Sequence, residues 1–106
     1  MFARSVSMQL KPNTRAEFTQ LLENNVIPTL RKQKGFQDEI TLVGADGTKV
    51  TAISLWDSKE DAETYNRAAY PEVLKNLAKI IEGTPEVRTA DVANSTFHKI
   101  AARVAA

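Results

Sequence analysis

The sequence predicts an α+β fold in which strand, helix, strand, strand, helix and strand follow one another. Three observations support this order. Apolar and polar residues alternate near the N-terminus, as in a half-buried strand. Asp46-Gly47 separates two further apolar runs, a strong hairpin signal because both central residues of a type I′ turn need positive φ. Helical spacing recurs on either side of this hairpin. The arrangement is the ferredoxin-like one, with a four-stranded antiparallel sheet and both helical regions on one face.

The first strand and helix follow from the N-terminal pattern. Apolar residues alternate from Phe2 to Leu10, and Thr14 then precedes a run with helical spacing. The pair Thr14 and Glu17 has capping-box spacing. Pro28 should kink this helix or end its regular part early, and Gly35 should stop it.

The second and third strands are predicted at about 36–43 and 49–56, on either side of the Asp46-Gly47 turn. Ser58 and Asp61 repeat the capping pattern and open a helix that carries Tyr65. A further helix should start at Pro71.

The C-terminal part is predicted to contain the end of that helix and a long last strand. Ile80 and Ile81 would belong to the apolar face of the helix, and Gly83 would cap its end. Thr84-Pro85 would turn the chain into a strand over about 87–100, and 101–106 would be a frayed tail.

One face of this sheet has no helix to cover it, which predicts a homodimer. Two sheets would pack face to face as a dimeric α+β barrel, with the long last strand reaching across. The alternative is a monomer with one partly solvated face. The residues expected on the uncovered face are small or apolar: Ser5, Ser7, Thr41, Val43, Ala52, Ser54 and Trp56.

Length and composition exclude several classes of protein. The 106 residues suffice for a single domain, 1–106, and the net charge of +1 without long basic runs argues against nucleic-acid binding. The absence of Cys removes thiolate catalysis and cysteine zinc sites. No apolar run approaches the length of a membrane span, so no membrane contact and a cytoplasmic location are expected.

The candidate site residues lie near the end of the third strand and on the helices behind it. Trp56 could clamp a planar substrate or donate its indole N–H to an oxyanion, or it could be a core residue. Tyr65, Asn66 and Tyr70 could bind a phenol or quinone, although Tyr70 before Pro71 could equally staple the helix start.

Two charged or titratable candidates lie on strands. His98, the single histidine, could act as a general base, or lie at a dimer contact or in solvent. Arg4 could hold an anionic substrate oxygen, but the favoured interpretation pairs it with Asp38, Glu39 or Asp91 across the sheet or across the dimer. One histidine without a second ligand gives no case for a metal site.

Three segments carry a resemblance to a known family. Residues 10–18 (LKPNTRAEF), the Lys34-Gly35-Phe36 step and residues 54–58 (SLWDS) resemble the antibiotic-biosynthesis monooxygenases, which are dimeric α+β barrels. The resemblance extends over nearly the whole chain. It implies the ferredoxin-like fold, and activities that range from oxygenation to haem degradation.

The resemblance also indicates which family sites the chain retains. Family members that degrade haem use an Asn on the first strand, a Trp and a His; here Tyr65 matches the Trp and Lys75 matches the His. Anthrone oxygenases of the family use an Asn, a Trp and an Arg. Trp56 matches that Trp, Ala52 replaces the Asn, and Lys75 or Asn76 falls near the Arg. Lys75 is therefore a substrate-binding candidate.

Two functions from different classes follow. The first is a small homodimeric monooxygenase that acts, without metal or bound cofactor, on a small aromatic or conjugated molecule. The second is a non-catalytic homodimer that binds a small ligand or a partner protein. An isomerase on the same scaffold is a third, weaker alternative.

Overall fold

The computed structural model describes residues 1–96. Its elements, in chain order, are β1 (Phe2–Leu10), α1 (Arg15–Leu21), a π-helical segment (Leu22–Val26), α2 (Ile27–Arg31), β2 (Phe36–Val43), β3 (Lys49–Trp56), α3 (Lys59–Ala68), α4 (Tyr70–Leu77) and β4 (Ile81–Asp91). The strands form one four-stranded sheet in the order β2-β3-β1-β4, with every neighbouring pair antiparallel. The predicted ferredoxin-like order is confirmed. His98, the predicted strand end at Ile100 and the predicted tail over 101–106 lie outside the described residues.

The first helical region is regular only at its two ends. The α-helix stops at Leu21, and within the π-helical segment the wider turn is closed by the N–H of Ile27, which donates to the carbonyl of Leu22. Pro28 then lies in the first turn of α2, where a missing backbone N–H costs little. The prediction that the regular helix ends early near Pro28 is confirmed.

The two predicted capping boxes differ in outcome. Ser58 caps α3, because its Oγ accepts a hydrogen bond from the N–H of Asp61 at 3.2 Å. Thr14 precedes α1 but its hydroxyl donates to the carbonyl of Lys11 at 2.7 Å, so no side-chain cap forms there. The capping box of the first helix was a wrong prediction.

The β2–β3 hairpin lies where Asp46-Gly47 predicts it, but the turn type is different. Gly47 has a φ of 79°, whereas Asp46 is not in the positive-φ region. The N–H of Gly47 donates to the carbonyl of Gly44 at 2.9 Å, and Asp46 Oδ1 accepts from the N–H of Thr48 at 2.9 Å. The Asp46 side chain holds the turn in place of a second left-handed residue, so the type I′ prediction was wrong.

The last strand begins earlier than predicted, which corrects the interpretation of Gly83 and Pro85. Helix α4 ends at Leu77, and Ile81 opens β4 as a buried residue. Gly83, with a φ of 67°, and Pro85 lie inside β4 at an irregularity where the register with β1 shifts. Glycine and proline are typical of such bulges. Gly83 and Pro85, which were expected to end a helix and form a turn, therefore lie within a strand. The strand ends at Asp91, and 92–96 are not strand.

Strand register decides which side chains face the helices. Arg4 pairs with Ser54, which pairs with Glu39, and these three share the face that the helices cover. The register of β2 shifts between Phe36 and Asp38, so one extra residue reverses the alternation along the rest of the strand. The expected uncovered face was wrong for five of its residues. The shift turns Thr41 and Val43 to the helix side, and Ala52, Ser54 and Trp56 lie on that side in register with Val6, Arg4 and Phe2 of β1.

The opposite face, which no helix of residues 1–96 covers, is called here the helix-free face and carries Ser5 and Ser7 as expected. It also carries larger apolar side chains, which are Ile40, Leu42, Ile53 and Leu55. Ile40 and Leu42 remain 43% and 50% exposed. No helix within residues 1–96 is long and apolar enough to cross a membrane.

Candidate functional site

A cavity lies between the sheet and the helices, above the middle of the sheet. The space between its walls, including the part that opens to solvent, amounts to about 470 Å³. Apolar side chains make most of its wall. The lining residues are Arg4, Val6, Met8, Phe18, Leu22, Val26, Leu30, Glu39, Ala52, Ser54, Tyr65, Tyr70, Val73 and Leu77. An apolar cavity with a few polar groups is typical of small-molecule sites.

Small side chains on β3 create the floor of this cavity. Ala52 and Ser54 sit between the longer side chains of β1 and β2, in register with Val6 and Arg4 on one side. On the other side Ser54 is in register with Glu39. We call Glu39, Ser54 and Arg4 the charged row. The row places a cation and a carboxyl group at opposite ends of the same floor.

Arg4 is the most unusual residue of the site, because it is charged and only 4% exposed. One guanidinium nitrogen, Nη2, donates to Oδ1 of Asn66 at 2.8 Å. The guanidinium carbon lies 4.1 Å from the ring centre of Tyr70 and 5.3 Å from that of Tyr65. Aromatic faces attract such a cation. Burial nevertheless lowers the pKa of Arg4 from its ordinary value.

Pairing of Arg4 with Asp38, Glu39 or Asp91 across the sheet was a wrong prediction for residues 1–96, and pairing across a dimer stays a prediction. In that range the hydrogen-bond partner of Arg4 is the amide of Asn66, and no carboxylate forms an ion pair with it. Asp38 points to the helix-free face because it pairs with Leu55. Within residues 1–96 the Nε of Arg4 is buried without a hydrogen-bond partner. One donor of the guanidinium is therefore left without a partner among the described residues.

Glu39 is a candidate that the sequence analysis considered only as a partner of Arg4. It is half-buried at the cavity, and burial raises the pKa of its carboxyl group from the ordinary value. The hydroxyl of Thr41 donates to Glu39 Oε2 at 2.6 Å, which lowers the pKa by a smaller amount. Regular alternation from Phe36 would turn Glu39 away from the helices. The register shift after Phe36 turns it towards the cavity, and nothing in the sequence pattern reveals that shift.

Trp56 and Tyr65 are in contact, but only Tyr65 reaches the cavity. Their ring centres are 5.2 Å apart, and Trp56 has no exposed surface. Its indole N–H donates to Ser54 Oγ at 2.8 Å. Burial raises the pKa of the Tyr65 hydroxyl to about 12, so that hydroxyl keeps its proton at neutral pH. Trp56 thus lies behind the cavity wall and supports Tyr65, and its catalytic role stays a prediction.

The remaining predicted residues are divided between two regions. Tyr70 lines the cavity, and Asn66 holds Arg4 from an exposed position on α3. Lys75 is exposed and lines a separate groove between the first helical region and α4. His98 lies outside the described residues. The structure therefore brings together Arg4, Tyr65, Asn66 and Tyr70, and places Lys75 elsewhere.

No cluster of three or more His, Cys, Asp or Glu side chains with the arrangement of a metal site occurs within residues 1–96. The polar groups at the cavity are one guanidinium, one carboxyl and hydroxyls. This set can hold an oxygen atom of a ligand and move a proton at a neighbouring atom.

Solved structures with the same fold come from several bacteria. A monooxygenase from the gene ActVA-Orf6 of Streptomyces coelicolor, in complex with nanaomycin D, is 20% identical with a TM-score of 0.76, covering 91% of this chain and 90% of that one. SnoaB of Streptomyces nogalater, a cofactor-independent oxygenase, is 13% identical with a TM-score of 0.75, and the match covers 90% of this chain and 95% of SnoaB. NE2512 of Nitrosomonas europaea, a protein of unknown function, is 13% identical with a TM-score of 0.76, and the match covers 91% of this chain and 92% of NE2512. At such identities these likenesses establish the fold.

The sequence itself establishes the family. No match was found among curated protein sequences. The family model for antibiotic biosynthesis monooxygenase matches residues 1–74. This range includes β1, the hairpin and α3. It also includes Arg4, Glu39, Tyr65 and Tyr70, whose polar side chains line the cavity. This chain belongs to the antibiotic biosynthesis monooxygenase family.

Proposed function

We propose that the protein is a homodimeric monooxygenase that oxygenates a small aromatic or conjugated molecule in the cavity, without metal or bound cofactor. The observation that carries the proposal is the buried guanidinium of Arg4 at the wall of an otherwise apolar cavity, between two tyrosine rings. A flat apolar molecule with one electron-rich oxygen fits such a site. Arg4 would bind the oxygen, and the rings would contact the flat face.

The reaction begins with removal of a proton from a carbon conjugated with the oxygen-bearing group. The resulting carbanion passes one electron to O₂, and the two radicals combine into a peroxide anion, which takes the proton back from the base and becomes a hydroperoxide. Loss of water then leaves a carbonyl group, so one oxygen atom enters the product and the other leaves as water. The protein orients the substrate and stabilises the anion that forms on the substrate oxygen. His98 is the candidate for this base that the sequence offers, although it could also lie at a dimer contact or in solvent.

Two of the structurally similar proteins support the oxygenase assignment. The Streptomyces coelicolor protein is a monooxygenase that holds nanaomycin D, and SnoaB is a cofactor-independent oxygenase. We extend this class of reaction to the present chain because the cavity occupies the region between the sheet and the helices of the shared fold.

The homodimer is supported by the helix-free face. Ile40 and Leu42 are both exposed there and lie beside Ile53 and Leu55, in one apolar area on β2 and β3. Covering these side chains with the same face of a second copy would remove apolar surface from water. The dimeric α+β barrel is the arrangement that packs two such sheets together.

The second candidate, a non-catalytic homodimer that binds a small ligand, is favoured by a different observation. The indole N–H of Trp56 is occupied by Ser54, so it is not free to donate to a substrate oxygen. The cavity would then only hold its ligand. An isomerase would remove the same proton and return it at another carbon, without consuming O₂.

Oxygen uptake and ligand binding distinguish these functions. Anthrone is offered to the metal-depleted full-length protein while dissolved O₂ is followed with an electrode and Trp56 emission is followed by fluorescence. An oxygenase consumes one O₂ per anthrone, and Arg4→Met abolishes the uptake. The matched control Arg15→Met removes an exposed arginine of α1 and should leave the uptake unchanged. Quenching of Trp56 without O₂ uptake for any of a panel of phenols and anthrones would favour the binding module.

A further inference from the structure

The two ends of the charged row face each other across small side chains. Neighbouring strands lie about 4.8 Å apart, so Arg4 and Glu39, which are two strands apart, leave the sheet about 10 Å from each other. Ser54 stands between them and fills little of that space. A small ring system spans such a separation, so one molecule on this floor can contact both ends.

Arg4 provides a donor that no residue of the described part of the chain uses. Its Nε is buried and has no partner within residues 1–96, while Nη2 is held by Asn66. A buried donor without a partner destabilises the folded chain. The Arg4 side chain lines the cavity, so a ligand oxygen there would lie beside the positive charge of the guanidinium. Because the guanidinium is a cation, an oxygen that becomes negative during a reaction is held more strongly than a neutral one.

Glu39 provides the complementary group at the other end. Desolvation at the cavity raises its pKa, which makes the carboxylate a stronger base than one in water. Thr41, two residues along the same strand, donates its hydroxyl to Oε2 and so fixes the orientation of the carboxyl group. A positioned carboxylate of raised basicity is suited to removing a proton from carbon.

We propose that Arg4 and Glu39 act on the same substrate from opposite ends of the charged row: the Arg4 guanidinium binds a carbonyl oxygen, and Glu39 takes the proton from a carbon conjugated with that carbonyl. The substrate class is a small aromatic ketone with a C–H bond acidified by its carbonyl group. This inference rests on the proposed function for the location of the site, and it assigns the base to Glu39 instead of His98.

The proton-transfer step balances without any co-reactant. The C–H bond breaks, its proton moves to a Glu39 oxygen, and its electron pair becomes the enolate double bond with the negative charge on the oxygen at Arg4. Reversal returns a proton to the same carbon. In D₂O this step alone replaces hydrogen by deuterium on the substrate, even when O₂ is absent.

The experiment follows that exchange under anaerobic conditions, with 2-tetralone as the probe. Its C1 methylene lies between an aromatic ring and a carbonyl, and loss of the C1 proton signal is measured by NMR. The full-length protein should accelerate the exchange, and Glu39→Gln should slow it about 100-fold or more, the range expected for a general base. Arg4→Lys should retain part of the rate and Arg4→Met should slow it about 100-fold, as for loss of an oxyanion donor. Glu17→Gln, at an exposed carboxylate of α1, is the matched control and should exchange like the wild type.

Each outcome separates this inference from the proposed function. Exchange that depends on Glu39, without O₂ uptake in air, would support the inference and refute oxygenation. O₂ uptake that persists in Glu39→Gln would support oxygenation and overturn the inference. Exchange that is intact in Glu39→Gln but lost in His98→Asn would return the base to His98. Circular dichroism of each variant excludes unfolding as the cause of a lost rate, and absence of exchange in the folded wild type would also overturn the inference.

Discussion

The guanidinium carbon of Arg4 lies 4.1 Å from the ring centre of Tyr70, the shortest cation–aromatic contact of the site. The contact joins the middle of the sheet to the start of α4, and Arg4 is almost completely buried beneath it. A desolvated cation over an aromatic face contributes up to about 2 kcal/mol. Tyr70 is therefore more than a staple for the helix start.

Replacing Tyr70 should separate the role of its ring from that of its hydroxyl. Tyr70→Leu should lower the free energy of unfolding by about 1–2 kcal/mol more than Tyr70→Phe does, because phenylalanine keeps a face for the cation. Urea denaturation measures both values. In an Arg4→Met background the free energies of unfolding of the two Tyr70 variants should differ much less. An unchanged difference there would show that the Tyr70 ring does not interact with Arg4.

Ser54→Ala should destabilise the protein by about 1–3 kcal/mol, because the fully buried indole N–H of Trp56 loses its acceptor. The Trp56→Phe variant has no such donor, so adding Ser54→Ala to it should cost less. Thermal unfolding of the four proteins completes the cycle. Equal costs in the two backgrounds would mean that the hydrogen bond contributes nothing net.

Gly35 and Gly47 offer a matched pair, with φ values of 78° and 79°. An alanine at Gly47 meets no atom within 4 Å, so its cost should be the backbone term alone, about 1–2 kcal/mol. An alanine at Gly35 would also collide with the Asp61 side chain, which should add about 1–3 kcal/mol. Chemical denaturation compares the two, and Asp61→Ala should relieve part of the excess. Equal costs at the two glycines would show that Asp61 moves aside freely.

Stability should depend on pH through Glu39. Its pKa in the folded protein is raised by burial above the ordinary value of 4.5. The folded protein therefore binds more protons than the unfolded chain in the window between these two pKa values, and the contribution of Glu39 to stability falls as pH rises through that window. Ionisable side chains that line the same cavity or the adjoining depression are Arg4, Arg31, Asp38, Tyr65 and Tyr70.

The variant Glu39→Gln removes this titration. It should be more stable than the wild type at pH 7. The difference should shrink as pH falls through that window and level off below 4.5, where glutamate is protonated in both states. Melting temperatures across pH 4–7 test the sign, since one constant difference would mean that Glu39 titrates normally.

The helix-free face should control assembly. Leu42→Lys places a charge on an apolar area and should convert a dimer into a monomer in sedimentation experiments, because a lysine opposite its own copy is both desolvated and repelled. Ala68→Lys adds the same charge at an exposed position of α3 and should not change the mass. A wild-type protein that sediments as a monomer would refute the homodimer.

The predictable part of the fold is the part that short-range chemistry determines. Asp46-Gly47 located the hairpin, Ser58 located the start of α3, and Pro28 marked the break in the first helix. Tyr65 and Tyr70, expected on or beside the same helical segment, have ring centres 6.2 Å apart. Each of these features depends on residues within a few positions along the chain.

The predictions that were wrong concern features that depend on how the strands align with one another. The shift after Phe36 reverses which side of the sheet Glu39 and Thr41 face, and the bulge at Gly83 and Pro85 keeps β4 continuous where a turn was expected. Both irregularities are defined by the partner strand, which a single sequence does not specify. The buried state of Arg4 depends on Asn66 and the tyrosines, more than sixty residues away.

The π-helical segment determines how wide the cavity can be. Phe18, Leu22, Val26 and Leu30 recur every fourth residue and all line the cavity. In a regular helix of 3.6 residues per turn, each step of four would rotate about 40°, so the last residue would point about 120° away from the first. The wider turn at Leu22–Val26 slows that rotation and keeps the four in one line. Deleting one residue of this segment would restore a regular α-helix and turn Val26 and Leu30 off that line. The winding of the helix backbone, as well as the size of its side chains, therefore selects which ligands fit in the cavity.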